Sequence, residues 1–181
     1  ILGFGGMKLL DALGQESIQK YHMNEGHCSF LVLDLLEKYQ GDEKKVREQC
    51  HFTTHTPVPA GHDHFSYSRV EKLLKGLLPK GLKLPSLVQN GVFHMTELGL
   101  YFSNSANGVS ELHGHVARDQ FNWKEIGHIT NGVHHVYWMS GPNKELFDVN
   151  FKDWRSDPEQ LYNIDKIPNP VLRATHRQSK K

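Results

Sequence analysis

The chain has 181 residues, of which 38% are apolar and 23% charged, and its formal net charge is +1 at pH 7. At roughly 150 residues per domain the length predicts one domain, and the apolar share excludes a disordered tail. The near-neutral charge argues against nucleic-acid binding through a basic face, and apolar runs such as Phe30 to Leu33 are far shorter than the ~20 residues of a membrane span.

The first part of the chain alternates helical and extended patterns. Apolar residues at helical spacing predict a short helix over Met7 to Leu13, which Gly14 would end. The sequence then predicts a strand, two helices and a second strand, over Ile18 to Met23, Phe30 to Tyr39, Glu43 to Gln49 and Cys50 to Thr54. Prolines and a glycine fill the loop from His55 to His64, so we expect no regular structure there.

The same alternation continues in the rest of the chain. Helices are predicted over Tyr67 to Leu78, Val92 to Phe102 and Ser110 to Phe121, strands over Ser105 to Val109 and Ile126 to Thr130, and short helices thereafter, the last from Pro168. This pattern favours an α/β layer fold with a mostly parallel sheet. Ligands of such sheets bind beyond the carboxyl ends of the strands. Three polar loops are therefore expected at one edge: Asn24 to His27, His55 to His64 and Asn131 to His135.

The first of these loops, Asn24-Glu25-Gly26-His27, places a carboxylate and an imidazole at a predicted helix entrance. Free amide groups and the helix dipole at such an entrance favour an anion or a hydroxyl-rich ligand. The alternative is a simple helix cap, in which Asn24 is the N-cap and Glu25 lies in the first turn. These four residues alone leave both interpretations open.

Histidine is the compositional outlier, with 13 residues that cluster in the polar loops. His55 follows a strand end in a loop stiffened by Pro57, which suits either a fixed catalytic side chain or an ordinary hydrogen-bonding one. His62-Asp63-His64 contains ligand types of zinc and iron, but alternate residues point the same way only in an extended chain. We expect no bound metal, with His62 and His64 structural or facing solvent. A histidine-rich metal-binding module is the alternative.

Glycine and cysteine patterns exclude further classes. Gly3-Phe4-Gly5-Gly6 has the wrong spacing for a dinucleotide fingerprint, and neither a P-loop nor a G-x-S-x-G elbow occurs in the sequence. The two cysteines are too few for a disulfide framework or a thiolate zinc site, which predicts reduced thiols and a cytoplasmic protein. The opening at Ile1 lacks a basic leader, so we expect an internal piece of a longer chain without a signal peptide.

Several stretches, taken in order, resemble one family. Leu2 to Leu10 fits the pattern L-G-x-G-G-x-x-x-L, and His22 to His27 fits H-x-N-E-G-H. The most specific stretch is Phe52 to Asp63, which fits F-T-T-H-T-P-V-P-A-G-H-D, and two Asn-Gly-Val stretches, at Asn107 and at Asn131, follow in the same order. Either of these two could also be a turn with positive φ. Together the stretches resemble the short, prokaryotic-type α-glucan (glycogen and maltodextrin) phosphorylases over nearly the whole chain.

Three positions depart from the pattern of that family. The family usually has Asn where His94 stands, an acidic residue where His115 stands, and a Thr-Pro pair near His135-Val136. The departures affect local contacts at these positions. They leave the order and spacing of the other stretches intact.

The resemblance implies a Rossmann-like parallel-sheet fold within the N-terminal domain of a two-domain GT-B glycosyltransferase. Residues 1–181 would be the latter part of that glucan-binding domain. Such enzymes remove the terminal α-1,4-linked glucose of a glucan with inorganic phosphate and release glucose 1-phosphate. They use pyridoxal phosphate as a proton relay, held by a lysine of the other domain whose motif is missing here, so this chain alone is expected to be inactive. A cytoplasmic homo-oligomer is implied, with glucan and phosphate as partners and neither membrane nor nucleic acid.

The site residues of the family carry over position by position. His55 matches the catalytic histidine beside the glucosyl unit that is cleaved, where its ring faces the 6-hydroxyl and its backbone carbonyl faces the developing positive charge. Glu25 and His27 match residues near the leaving sugar. Three more residues are expected to bind the glucan at the same edge, namely Asn24, Asn131 and His134. The alternative within the same fold is a sugar-nucleotide-dependent glycan synthase.

Overall fold

Four strands form one parallel sheet, around which the first 131 residues are organised. The computed structural model describes residues 1–77 and 88–180. The chain divides into two units, Ile1–Asn131 and Gly132–Lys181. The elements of the first unit are α1 (Leu2–Ala12), β1 (Tyr21–Asn24), α2 (Leu31–Lys38), α3 (Glu43–Gln49), β2 (Cys50–Thr54), β3 (His64–Ser66), α4 (Tyr67–Leu73), β4 (Val88–Gln89), β5 (Val92–His94), α5 (Met95–Tyr101), β6 (Ser105–Gly108), α6 (Glu111–Phe121) and β7 (Ile126–His128).

The strand order of the parallel sheet is β1-β2-β6-β7. Helices α2 and α3 connect β1 to β2, and α6 connects β6 to β7. Parallel neighbours need crossover connections of this kind, because a tight hairpin turn can join only antiparallel strands. The prediction of an α/β layer with a mostly parallel sheet is therefore confirmed, and the layer is consistent with a Rossmann-like fold.

One face of this sheet is apolar and packs into the core. Met23, Phe52, Ala106 and Ile126 lie in register across the four strands, and three of them are fully buried. Together with residues of α5, helix α2 buries four leucines and a valine in the same core: Leu31, Val32, Leu33, Leu35 and Leu36. A slip of one residue would turn every one of these apolar side chains to the opposite face, so the core fixes the register of the sheet. It thereby fixes which loops leave the sheet side by side.

Helix α1 packs on the start of α2 through Gly3. A Cβ on Gly3 would lie 2.6 Å from the backbone nitrogen of Leu31, so only glycine permits this approach. Lys8 Nζ lies 3.0 Å from the buried carboxylate of Asp34, and this hydrogen bond raises the pKa of Lys8. Helix α1 starts at Leu2, five residues before the predicted start at Met7, and so includes the glycine-rich opening of the chain.

A second sheet, three-stranded and antiparallel in the order β3-β5-β4, was not predicted. The expected helix from Val92 to Phe102 is wrong at its start, since Val92–His94 is a strand and α5 begins at Met95. The prediction of an irregular loop from His55 to His64 is wrong in its second half. Pro59–Gly61 forms a 3-10 turn, and His64 opens β3. Strand β5 pairs with the nearby β4 and with the distant β3, and the local pattern does not encode the pairing with β3.

Other boundaries shift by a few residues. The predictions for Glu43–Gln49 and Cys50–Thr54 are confirmed to the residue. Strand β1 begins at Tyr21, three residues later than expected, and α4 ends at Leu73. The predicted end of that helix, Leu78, lies outside the described residues. Strands β6 and β7 also stop one and two residues before their predicted ends.

The second unit is helical and has its own small core. It contains α7 (His135–Trp138), α8 (Gly141–Asn150), a 3-10 segment (Pro158–Lys166) and α9 (Asn169–Ser179), which confirms the predicted short helices. Phe151, Trp154 and Ile167 are buried together, and the Trp154 indole N–H donates to Asp148 Oδ1 at 2.9 Å. In the described parts of both units, every helix is too short or too polar to cross a lipid bilayer.

Candidate functional site

The first two polar loops leave neighbouring strands at the same edge of the parallel sheet. Asn24 is the last residue of β1 and pairs in register with Thr53 of β2. The backbone N–H of the next residue, Glu25, donates to the Thr53 carbonyl at 2.9 Å. Glu25 therefore follows one strand just as His55 follows the other. The structure brings these two loops together, as parallel strands require.

Glu25 joins the two loops through its side chain. The residue is only 7% exposed, and its Oε1 accepts hydrogen bonds from the backbone N–H groups of His55 and Thr56, the latter at 3.2 Å. Glu25 itself adopts a φ of +68°, which is uncommon for a residue other than glycine. A buried carboxylate that accepts two backbone N–H groups makes charge-assisted hydrogen bonds, which are stronger than neutral ones.

The helix-cap interpretation of this loop is wrong. Helix α2 begins only at Leu31, with Phe30 at its N-cap, so Asn24 caps no helix there. The loop instead continues as a 3-10 turn over Gly26–Cys28. A Cβ on Gly26 would lie 3.2 Å from the Met95 Cβ, so the turn packs tightly against the start of α5.

His27 and His55 are accessible to a ligand. The His55 side chain is exposed, and so is that of His27. The Nδ1 of His27 lies 3.6 Å from Asp63 Oδ2, near the far end of the second loop. Both partners are exposed, so solvent screens this contact and it contributes little to stability.

A polar network covers the sheet face that carries Asn24. Asn24, Thr53 and Asn107 lie in register across β1, β2 and β6. The Thr53 hydroxyl donates to Asn107 Oδ1 at 2.8 Å, and His51 Nε2 lies 2.7 Å from the same oxygen. Since an amide oxygen can only accept, His51 carries its proton on Nε2. Its Nδ1 then accepts from the Ser105 hydroxyl at 2.7 Å.

His22 completes this network on the strand that leads to Glu25. Its Nε2 lies 2.7 Å from the Thr53 oxygen, whose own hydrogen goes to Asn107. Burial lowers the pKa of His22, and the neighbouring rings of His51 and His55 lower it further. The network was not predicted as a site. Its signal was a polar residue at every second position of three strands.

The histidines at the end of the second loop have separate protein neighbours. His62 is 8% exposed, and its Nδ1 lies 2.9 Å from the Thr96 hydroxyl. His64 is exposed and contacts the ring of His94 edge to face, with centroids 4.4 Å apart. Across residues 1–77 and 88–180, no three His, Cys, Asp or Glu side chains are grouped so that they could hold a metal ion.

The third polar loop begins at the same edge of the sheet, but two strands away from the His55 loop. Asn131 is exposed and follows β7, which β6 separates from β2, and its backbone N–H donates to the Val109 carbonyl at 3.0 Å. His134 belongs to the second unit, where its Nδ1 accepts the Tyr137 N–H at 3.2 Å and caps α7.

The interpretation of the Asn-Gly pairs at Asn107 and at Asn131 as turns with positive φ is wrong. Asn107 and Gly108 are the last residues of β6. Neither Gly108 nor Gly132 has a positive φ. A Cβ on Gly108 would lie 2.9 Å from the backbone nitrogen of Gly114, so close packing against α6 explains that glycine.

Comparison with known proteins identifies relatives over almost the entire chain. No protein-family model matches it. It is 34% identical to the maltodextrin phosphorylase of Thermococcus litoralis over all of its residues, and 35% identical to the glycogen phosphorylase of Mycobacterium tuberculosis over 95% of them. The glycogen phosphorylase of Aquifex aeolicus is 27% identical over 99% of the chain. The chain spans only 24%, 23% and 30% of the lengths of these three relatives.

Proposed function

The chain is homologous to a stretch of the glycogen and maltodextrin phosphorylases, and from this premise we propose that it is the glucan-binding part of an α-glucan phosphorylase. The observation that carries the proposal is the junction of the two most specific stretches. Glu25 of the first accepts hydrogen bonds from the backbone of His55 and Thr56 in the second. The relatives named above are phosphorylases rather than sugar-nucleotide synthases, which favours phosphorolysis over the synthase alternative.

The proposed reaction transfers the terminal α-1,4-linked glucose of a glucan to inorganic phosphate. The bond from its C1 to the glucan oxygen breaks, C1 bonds to a phosphate oxygen, and the glucan oxygen takes a proton that the phosphate gives up. The product is glucose 1-phosphate. Positive charge develops on the sugar ring as the first bond breaks, so a catalyst must place acceptors beside the ring.

His55 is the residue that we assign to this glucosyl unit. We assign its exposed ring to the 6-hydroxyl and its backbone carbonyl to the developing charge. The loop that carries it is stiffened by Pro57, and Glu25 holds the backbone N–H of His55, so the backbone to which the ring is attached is fixed. A positioned group of this kind lowers the barrier because its alignment is complete before the reaction starts.

The remaining glucan contacts are assigned to polar side chains around the same loops. His27 and Asn24 are exposed and suit the leaving sugar, and Asn131 and His134 are proposed as further glucan ligands. Imidazoles and amides suit a polyol because each sugar hydroxyl needs a directed partner. A hydroxyl buried without a partner costs ~1–3 kcal/mol.

Pyridoxal phosphate is the cofactor that we propose for the whole enzyme, where its phosphate group supplies the proton relay. The two loops of the candidate site contain no lysine, so these described residues do not fit its covalent attachment. The cofactor would belong to the second domain of a GT-B architecture, outside this chain. We propose a cytoplasmic homo-oligomer for that enzyme.

The test is an assay of the natural polypeptide that contains this chain, supplied with maltooligosaccharide, inorganic phosphate and pyridoxal phosphate. Glucose 1-phosphate should appear only when phosphate is present. The 181-residue chain alone should release none under the same conditions. Glucan elongation from a sugar nucleotide, without phosphorolysis, would instead establish the synthase.

A further inference from the structure

We infer that Glu25 is a positioning residue, which acts on the glucosyl unit through the backbone of the His55 loop rather than by binding the leaving sugar itself. The inference rests on the proposed function for its catalytic meaning. Its structural content, a carboxylate that holds the amide groups of His55 and Thr56, depends only on the contacts of this chain.

The location of the two amide groups explains why they need a partner. Strand β2 ends at Thr54, so the N–H groups of His55 and Thr56 lie beyond the strand. The following Pro57 and Pro59 have no N–H, and the next regular element of the chain is the 3-10 turn at Pro59–Gly61. The Glu25 carboxylate therefore supplies the acceptor where the strand stops.

The burial of Glu25 argues against direct contact with a sugar. Only 7% of the residue is exposed, whereas the neighbouring Asn24 and His27 are exposed. Its backbone is anchored as well, since its N–H donates to Thr53 of the adjacent strand at 2.9 Å. Both ends of Glu25 thus bind the segment that leads into His55. A residue that binds a sugar directly would need a side chain that reaches into solvent.

The positioning role and direct sugar binding predict opposite orders of severity for Glu25→Gln and Glu25→Asp. A positioning role needs an acceptor oxygen at the reach of glutamate, which Glu25→Gln keeps and Glu25→Asp shortens by one methylene. If Glu25 instead binds the sugar through its charge, that role needs the carboxylate, which Glu25→Asp keeps and Glu25→Gln removes. Glu25→Ala removes both. The exposed Glu16 supplies matched controls, Glu16→Gln and Glu16→Ala, away from either loop.

The first measurement is amide hydrogen exchange of the unliganded natural polypeptide, followed in peptides that cover residues 53–58. Glu25→Ala and Glu25→Asp should speed exchange at His55 and Thr56 by about tenfold or more, the factor that a lost charge-assisted hydrogen bond implies. Glu25→Gln should stay within a few-fold of the wild type, since neutral bonds are weaker but present. If Glu25→Ala fails to fold, the Gln and Asp pair decides. Unchanged exchange in Glu25→Asp would overturn the inference.

The second measurement is the split between kcat and KM for phosphorolysis by the same variants. The inference predicts that Glu25→Asp lowers kcat more than it raises KM, with Glu25→Gln closer to the wild type. A raised KM with normal kcat in Glu25→Gln would instead make Glu25 a glucan ligand and refute the positioning role. If the wild type lacks phosphorolysis, the proposed function fails, while the exchange result still decides whether Glu25 holds the loop.

Discussion

His62 and Thr96 are joined by a hydrogen bond of 2.9 Å between the imidazole Nδ1 and the threonine hydroxyl, and both residues are buried. The bond ties the end of the His55 loop to the first turn of α5. Burial lowers the pKa of His62, and this outweighs the opposing influence of Glu25. The folded protein therefore holds His62 neutral, which couples the anchoring of the loop to pH.

This coupling predicts that the protein loses stability in mild acid. An unfolded histidine titrates near ~6.5. Because the folded pKa of His62 is lower, the unfolded chain binds more protons as the pH falls below that value, and stability declines. Urea midpoints measured between about pH 7.5 and about pH 5 should fall, and His62→Gln should flatten the decline.

His22 also has a lowered pKa, so the decline should weaken rather than vanish in His62→Gln. The control is His176→Gln on α9, an exposed histidine whose loss should leave the pH dependence unchanged. An identical slope in the wild type and in His62→Gln would contradict the assignment.

The sequence predicts the parallel sheet well because its strands and crossover helices carry strong local patterns. Residues 43–54 are the clearest case, since Asp42 caps α3 and the apolar Phe52 marks β2. The second sheet escapes prediction because Val92–His94 is too short to be distinguished from the first turn of α5, and only its pairing with β3 and β4 makes it a strand.

The candidate site shows the same division between local and distant information. The sequence identifies the loops of Glu25 and His55 by their residue types and their positions after strands. It does not reveal that the carboxylate of one accepts the backbone N–H of the other, because that bond joins residues 30 positions apart. Nor does it reveal that Asn107 accepts from Thr53, which requires the register of β2 and β6.

Two glycines of α1 should respond to alanine in opposite directions. A Cβ on Gly3 would meet the backbone of Leu31 at 2.6 Å, whereas a Cβ on Gly6 would meet nothing within 4 Å. Gly3→Ala should therefore destabilise the protein by about 1–3 kcal/mol, as overpacking does. Gly6→Ala should stabilise it by about 0.5–1 kcal/mol, because alanine loses less backbone entropy in a helix. Urea unfolding of both variants measures the pair, and equal effects would refute this packing of α1 on α2.

The two thiols should differ sharply in reactivity. Burial raises the pKa of Cys50 to about 12, so its reactive thiolate is scarce near neutral pH. Cys28 is partly exposed in the 3-10 turn. Iodoacetamide should label Cys28 in the native protein and both residues in urea, as read by mass spectrometry. Cys28→Ser should take up no label in the native state. Rapid labelling of Cys50 in the native protein would show that β2 opens to solvent and would contradict its burial.

In the whole enzyme, we expect the side chain of His55 to act mainly on kcat. His55→Ala should lower kcat for phosphorolysis by about 10²-fold or more, the usual loss when one aligned group is removed from the transition state. KM for the glucan should change much less, because a group aligned on the cleaved unit acts as charge and ring distortion develop. The assay needs saturating phosphate, so that phosphate binding does not limit the rate.

His27→Ala provides the contrast for that measurement, because the exposed His27 is assigned to the leaving sugar. Its loss should raise KM for the glucan with a smaller effect on kcat, since the sugar is bound in the ground state as well as in the transition state. His176→Ala on α9 should match the wild type in both constants. A normal kcat in His55→Ala, together with a large loss of kcat in His27→Ala, would reverse the assignment of the two loops to their sugar units.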